Sequence, residues 1–414
     1  MKSVLMAGFF ILSLPAWAKV EVSYENLKGL LDQKNAAIAS AKLRAEAAKD
    51  REGFLARSFM PKLELYGLQE SFKTGSSDTI HQPGYGAEAS INLFNGGRDW
   101  NEAKIRNRRS EQMQVYAQRV QIEELEKLRI LFWESLYLRD KVEVLKSAID
   151  LNNRNAKSAA RRLNSGVGTE SDRLEFEMEA ISLKQELEEA QLNYSLQLKK
   201  ILVVLNLDEH EEILLTDSLT HEHEYHDLTK HTEKDHELLY KENEIAAEIT
   251  GLEAKNKSYG WIPSVDAFAS YNQYNQREID MADEKERRES VVGLKASLSF
   301  GTLLESNSEA SALKKEARSL GLTAEQQKKE LHTHVEGELE ELDLLHSQIH
   351  IAESNIKLAE KYYKVTDSEY SRGVKNSPDV LGASTKLLEV KDKHLKIVRD
   401  FQIARAHILS KIGK

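Results

Sequence analysis

The sequence predicts a mainly α-helical protein with a small β portion, built twice over. Three observations predict it. Two groups of residues recur at an offset of 207 positions: Ala89-Ser90-Ile91-Asn92-Leu93 returns as Ala296-Ser297-Leu298-Ser299-Phe300, and Gly166-Val167 with Asp172 and Leu174 returns as Gly373-Val374 with Asp379 and Leu381. A repeat this long is a duplicated structural unit and not a short solenoid module. Long stretches free of proline are rich in Ala, Leu, Glu, Lys, Gln and Arg, which lose least on entering a helix. Four runs of about ten residues with alternating character supply the strands.

The first eighteen residues predict a signal peptide: Lys2, an apolar core from Val4 to Leu14, and Ala16-Trp17-Ala18 in the small-x-small form of a signal-peptidase site. The mature chain is expected to begin near Lys19. With no cysteine, neither disulfides nor attachment of lipid to an N-terminal cysteine is expected. A first helix is expected over Glu25–Ser58. Phe59-Met60-Pro61 then introduces a strand over Lys62–Phe72, as Trp261-Ile262-Pro263 introduces one over Ser264–Asn275. Each is followed by a cleaner strand. Tyr85, Ala87, Ala89, Ile91 and Leu93 alternate with polar residues, as do Val292, Leu294, Ala296, Leu298 and Phe300. Ten residues suffice for a tilted strand to cross a bilayer core, although a soluble hairpin would alternate in the same way. Four strands cannot close a barrel, and open sheet edges are not tolerated in lipid, so spanning strands require several copies of the chain.

From Arg98 to Leu163, and again from Ser306 to Ser371, the chain reads as uninterrupted helix. The first would reach about 100 Å at 1.5 Å per residue, so it must pack beside others in a coiled coil or a barrel of helices. Shorter helices are expected over Thr169–Leu205, His236–Ser258 and Asn376–Lys411. The resulting division is a signal peptide at 1–18, a first repeat at 19–215, a histidine-rich linker at 216–235 and a second repeat at 236–414.

The net charge of -10, without a basic cluster carrying interleaved aromatics, argues against a nucleic-acid partner. A Gly-rich phosphate loop, a His-Glu-x-x-His pair, a nucleophile elbow and a Cys nucleophile are all absent from the sequence, which excludes the commonest enzyme classes. The linker carries His221, His223, His226, His231 and His236 interleaved with Glu222, Glu224 and Asp227. It reads as a solvated acidic connector with no cofactor, in which His221, His223 and His226 are weak metal candidates without a recognised ligand spacing.

Pro61-Lys62-Leu63-Glu64-Leu65-Tyr66, Leu93-Phe94-Asn95-Gly96-Gly97 and the paired glycine turns with downstream Asp-x-Leu resemble the TolC-like outer-membrane efflux proteins. The resemblance covers essentially the whole mature chain. It implies a homotrimer in which each chain gives four strands to one twelve-stranded barrel in the outer-membrane lipid. The helices continue into the periplasm as an α-helical barrel that docks an adaptor protein and an inner-membrane pump. The implied function is a passive conduit for efflux or type I secretion; the alternative is a periplasmic or surface coiled-coil scaffold or adhesin.

The resemblance also implies that Gly166 and Gly373 lie at the periplasmic tip. Three copies of Asp379 would form a carboxylate ring at the constriction, single because Gly382 stands where relatives often have a second Asp. Asp172 would pair with Tyr370 and Lys375 to hold the tip closed. A purely local reading is complete in itself: left-handed glycines end the helices, and Thr169 and Asn376 cap the next ones with Asp172 and Asp379 at the third position. Tyr370 is then an apolar-face residue and Lys375 a partner of the helix dipole.

Overall fold

The structure, a computed structural model, describes residues 19–53, 55–73, 79–221, 237–276, 285–298 and 300–413. The expected signal peptide and the candidates His223 and His226 lie outside these residues. In chain order the elements are β1 (Lys19–Val22), α1 (Leu27–Lys34), α2 (Ala36–Asp50), a 3-10 turn (Leu55–Phe59), β2 (Lys62–Lys73), β3 (Thr79–Asn95), α3 (Arg98–Asn164), α4 (Glu170–Val204) and β4 (Glu212–Leu215). They continue with α5 (Glu237–Ser258), β5 (Ser264–Gln276), β6 (Lys285–Ser297), α6 (Phe300–Ser371) and α7 (Ser377–Lys411). A helix, two strands, a very long helix and a 35-residue helix thus occur twice. The compact units cut across this repeat. One holds the described residues of Met1–Ser40, Arg119–His236 and Glu330–Lys414, the other those of Ala41–Gln118 and Glu237–Lys329.

The second of these units contains the four-stranded antiparallel sheet, in the order β2-β3-β5-β6. Residues paired across an antiparallel ladder share a face, so the register sorts the sheet. Leu63 and Leu65 pair with Ala89 and Ala87, these with Ala269 and Tyr271, and Ala269 and Ala267 with Val292 and Leu294. One face is therefore apolar across all four strands. The other carries Glu64, Glu88, Ser90, Asp266, Ser270, Asn272, Glu289 and Lys295. The apolar face is bare in a single chain: Val292 is 85% exposed, Leu65 75% and Leu294 72%. On the polar face Gly86 is a close approach, since a Cβ there would meet Asn272 Oδ1 and the Tyr66 ring, which are hydrogen-bonded to each other. Pro83 belongs to β3. It sits opposite Gln69, just beyond Gly84, where the pairing of β3 with β5 begins. With a neighbour on one side only, a missing N–H is tolerated. In the same unit α3 and α5 pack through Ile105, Val115, Ile245 and Ile249 and are tied by Arg108–Glu248 at 2.8 Å and Arg109–Glu253 at 2.6 Å.

In the other unit the helices bury residues at heptad spacing. Phe176, Leu183, Ala190, Gln197 and Val204 are buried along α4, Val335, Leu342 and Ile349 and then Tyr363 and Tyr370 along α6, and Ala383, Val390, Ile397 and Ala404 along α7. A strict seven-residue repeat is the signature of left-handed, knobs-into-holes packing. It explains how helices this long, with charged residues on their other faces, hold together. A second core joins β1, α1, α3 and the end of α4 around Phe132, Leu128 and Leu136. Here a two-stranded parallel sheet of β1 and β4 pairs Val20 with Ile213 and Val22 with Leu215.

Two expectations are corrected, and one pair of strands was not anticipated. The helix expected over Glu25–Ser58 is broken into α1, α2 and a 3-10 turn. The break is at Asn35, whose ψ of 122° is extended. Its buried side chain accepts from Ile38 N–H at 2.8 Å, capping α2, and donates to the Val204 carbonyl at 2.8 Å and Glu124 Oε2 at 2.9 Å. Three hydrogen bonds to one side chain outweigh the helical bonds that continuity would add. The strands β1 and β4 had no counterpart in the sequence reading. Phe300, expected in a strand, begins α6, which therefore starts six residues before Ser306.

Asn35→Ala is expected to cost about 1–3 kcal/mol, because it removes a cap and leaves the buried Val204 carbonyl without this donor. The check is the midpoint of chemical unfolding followed by helical circular dichroism; an unchanged midpoint would remove Asn35 from this role.

Candidate functional site

The two helix-ending turns are built alike. After α3, Gly166 has φ +73°, its N–H donates to the Leu163 carbonyl at 3.0 Å, and the Val167 N–H donates to the Arg162 carbonyl at 3.1 Å. After α6, Gly373 has φ +83°, its N–H donates to the Tyr370 carbonyl at 2.9 Å, and the Val374 N–H donates to the Glu369 carbonyl at 2.9 Å. Both are Schellman motifs, in which a left-handed glycine lets two otherwise orphaned carbonyls be satisfied. Each is followed at once by a capping box. Thr169 caps α4 with Asp172 and Asn376 caps α7 with Asp379, each acid accepting from the backbone N–H of its cap residue.

The turns are then joined. Asp172 accepts from the Thr169 N–H at 3.0 Å and Thr169 Oγ1 at 2.9 Å, and also from Ser377 Oγ of the second turn. Ser377 Oγ is shared with Glu175 Oε2 at 2.7 Å. Partial burial pushes the Asp172 carboxyl up, but the hydrogen bonds from Ser377 and Thr169 outweigh it and hold the group below the ordinary aspartate value. Tyr370 is 2% exposed; its ring meets Phe176 edge-on at 6.2 Å and carries the Arg162 guanidinium over its face at 4.4 Å. Arg162 also donates to the Tyr370 carbonyl, placing a cation where the α6 dipole ends. Burial pushes the Tyr370 hydroxyl up, Asp172 adds to this, and Arg162 opposes it.

Of the expected tip residues, the structure therefore brings Asp172 and Tyr370 into one cluster with Arg162, Phe176 and Ser377. Lys375 forms a pair with Asp379 within the same chain, at 3.6 Å between half-exposed side chains, an interaction of small value by itself. Arg162 and Ser377 were not singled out from the sequence. Arg162 stands at the position whose carbonyl accepts the Val167 N–H, but its partner carbonyl lies 208 residues away. Of the histidine candidates, the described His221 lies against His346 and His350 of α6.

The described residues thus hold a small sheet with one continuous apolar face, very long helices, and two matched Schellman turns each followed by a capping box. The family model for outer membrane efflux proteins matches residues 27–206 and 247–414, and the chain belongs to that family. The protein is accordingly an outer-membrane efflux channel whose helices extend into the periplasm. The family is one of channels and not of enzymes, and its members are generally trimers that dock with an adaptor and a pump.

Solved structures agree in fold. The crystal structure of CusC, described as undergoing conformational changes that accompany folding and transmembrane channel formation, has a TM-score of 0.79 at 12% identity, over 94% of this chain and 91% of that one. The outer-membrane channel OprN has a TM-score of 0.78 at 14% identity, over 94% and 89%. The outer membrane protein VceC from Vibrio cholerae has a TM-score of 0.74 at 14% identity, over 94% and 95%. No curated protein sequence matches the chain.

Arg162→Ala is expected to loosen the end of α6, and faster amide hydrogen exchange over residues 370–374 is the readout. Acid is expected to act on Asp172. Because its folded-state pKa is depressed, its contribution is fully present above the ordinary value of 3.8 and lost as pH falls through the lower folded value. Protection factors at Thr169 and Ser377, the intrinsic exchange rates divided by the observed ones, should therefore be flat from about pH 7 to 5 and fall below 3.8. Identical behaviour in Asp172→Asn would contradict this.

Proposed function

We propose that three copies of the chain form one passive conduit through the outer membrane, and that no reaction is catalysed along it. The observation that carries this reading is the sheet. It is apolar on one face across four strands, its outer strands β2 and β6 have no further neighbour among the described residues, and its apolar face is exposed in one chain. In lipid such edges must be paired. Three copies of four strands give twelve, with the Leu65, Tyr85, Tyr271, Val292 and Leu294 face toward lipid and the Glu88, Ser270 and Lys295 face toward the lumen.

The joined turns form the periplasmic gate in this reading. Asp172, held by Thr169 and Ser377, and Tyr370, held by Arg162 and Phe176, fasten the two helix hairpins of one chain. Asp379 and its partner Lys375 sit at the start of α7, where three symmetry copies would ring the constriction. Three carboxylates facing one another attract cations. Docking of an adaptor and its inner-membrane pump would open the ring by separating these contacts.

The test is conductance of the purified protein in planar bilayers. Small conductance is expected for the natural chain, severalfold larger conductance for Asp172→Ala combined with Ser377→Ala, and a loss of cation preference for Asp379→Ala. Absence of conductance in all three, from protein verified as folded, would contradict the conduit.

A further inference from the structure

His346 and His350 are one turn apart on α6 and so share a face of that helix. Their rings meet edge-on with centroids 4.9 Å apart. The third ring comes from a distant part of the sequence: His221 lies 5.9 Å from His346 and 5.7 Å from His350, again edge-on to both. One ring nitrogen of each histidine lies within 4.8 Å of those of the other two. We propose that His221, His346 and His350 form a binding site for a late first-row divalent cation, of the zinc and copper type, which staples the start of the linker to α6.

The segment that carries His221 is held in place by contacts independent of any metal. Arg139 donates to the carbonyls of Asp217 at 2.8 Å and Leu215 at 3.4 Å, and Leu219 packs on two of the buried cores. The buried Gln402 of α7 donates to the carbonyl of Thr220 at 2.6 Å, one residue before His221. The third ligand is thus delivered to the α6 pair by a fixed backbone. On the other side, His346 lies tilted against the ring of Phe401, with centroids 6.0 Å apart, which gives the site an apolar floor. Glu353, a turn beyond His350, places a carboxylate oxygen 3.5 Å from His350 Nδ1. A carboxylate on Nδ1 fixes the ring and its tautomer and leaves Nε2 to a metal, the usual outer-shell arrangement of metal-bound histidine.

The donor set selects the ion. Three imidazoles without a carboxylate among them suit zinc or copper, with copper(II) bound more tightly, and do not suit calcium or magnesium, which take oxygen ligands. Zinc–nitrogen bonds of about 2.0–2.1 Å set tetrahedral nitrogens roughly 3.3 Å apart, so closure needs side-chain movements on the order of 1 Å. Two half-buried rings, His221 and His346, and one exposed ring, His350, on two fixed segments allow that. The site is separate from the proposed gate and does not depend on the conduit reading.

The experiment is titration of the chelator-stripped, full-length mature protein in detergent with Zn²⁺ and with Cu²⁺, by calorimetry and, for Cu²⁺, by electron paramagnetic resonance. One site per chain is expected, with a spectrum showing three imidazole nitrogens. His346→Ala combined with His350→Ala should abolish it, and Glu353→Gln should weaken it about 10- to 100-fold. Replacing His223, His226, His231 and His236 with alanine should leave it intact. If the double variant folds poorly, His350→Gln and the nitrogen count of the natural protein decide instead. Retention of the site without the α6 pair, its loss with the linker histidines, or fewer than three coordinated nitrogens would overturn the proposal.

Discussion

The sheet of this chain is governed by the rule that backbone polar groups cannot be left unpaired in hydrocarbon. Four strands make an open sheet with two outer strands, β2 and β6. Its apolar face, formed by Leu63, Leu65, Tyr85, Tyr271, Val292 and Leu294, is stable only against lipid or another apolar surface. Both requirements are met together when copies of the chain complete one another's edges. In the proposed conduit a single chain carries an incomplete wall, and the duplication of the sequence provides four strands where one repeat would provide two.

The helices meet a second requirement, that of remaining straight and paired over many turns. Burial every seventh residue, from Phe176 through Val204 in α4 and from Val335 through Ile349 in α6, keeps the seam of each helix facing its neighbour. Small and medium side chains such as Ala190, Ala383 and Ala404 dominate parts of that seam, allowing close approach, while ion pairs occupy the outer faces at modest gain. Specific polar contacts are concentrated where the helices end. There the Schellman motifs and capping boxes satisfy groups that the helices leave free, and one carboxylate, Asp172, serves both its own cap and Ser377 of the other turn. The gate proposed for this protein is thus an extension of ordinary helix-end chemistry, which explains why its residues look unremarkable in isolation.

The long helices and the four strands were legible because they rest on period and composition, which act locally. The alternation of Tyr85 through Ile91 sorted residues that share the apolar face of the sheet, and the absence of proline from Arg98 to Leu163 marked a continuous α3. The turns were legible for a related reason, since a Gly followed by Thr or Asn and then Asp states both a left-handed end and a cap. What escaped depends on partners remote in sequence. Asn35 interrupts a run of good helix formers because Val204 and Glu124 await its amide. The strands β1 and β4 are four residues each and take their form from pairing with each other. Arg162 matters through the carbonyl and ring of Tyr370, and His221 lies against two histidines of α6 more than a hundred residues away. Nothing in the local spacing of these residues points to those partners.

The central claim is that one chain supplies a third of a closed wall. The most direct measurement is the mass of the native complex extracted from isolated outer membranes in mild detergent, with the detergent contribution subtracted. The account predicts three chains per particle. A monomer or dimer, or recovery of the protein in the soluble fraction, would leave the edges of β2 and β6 uncompleted and contradict it.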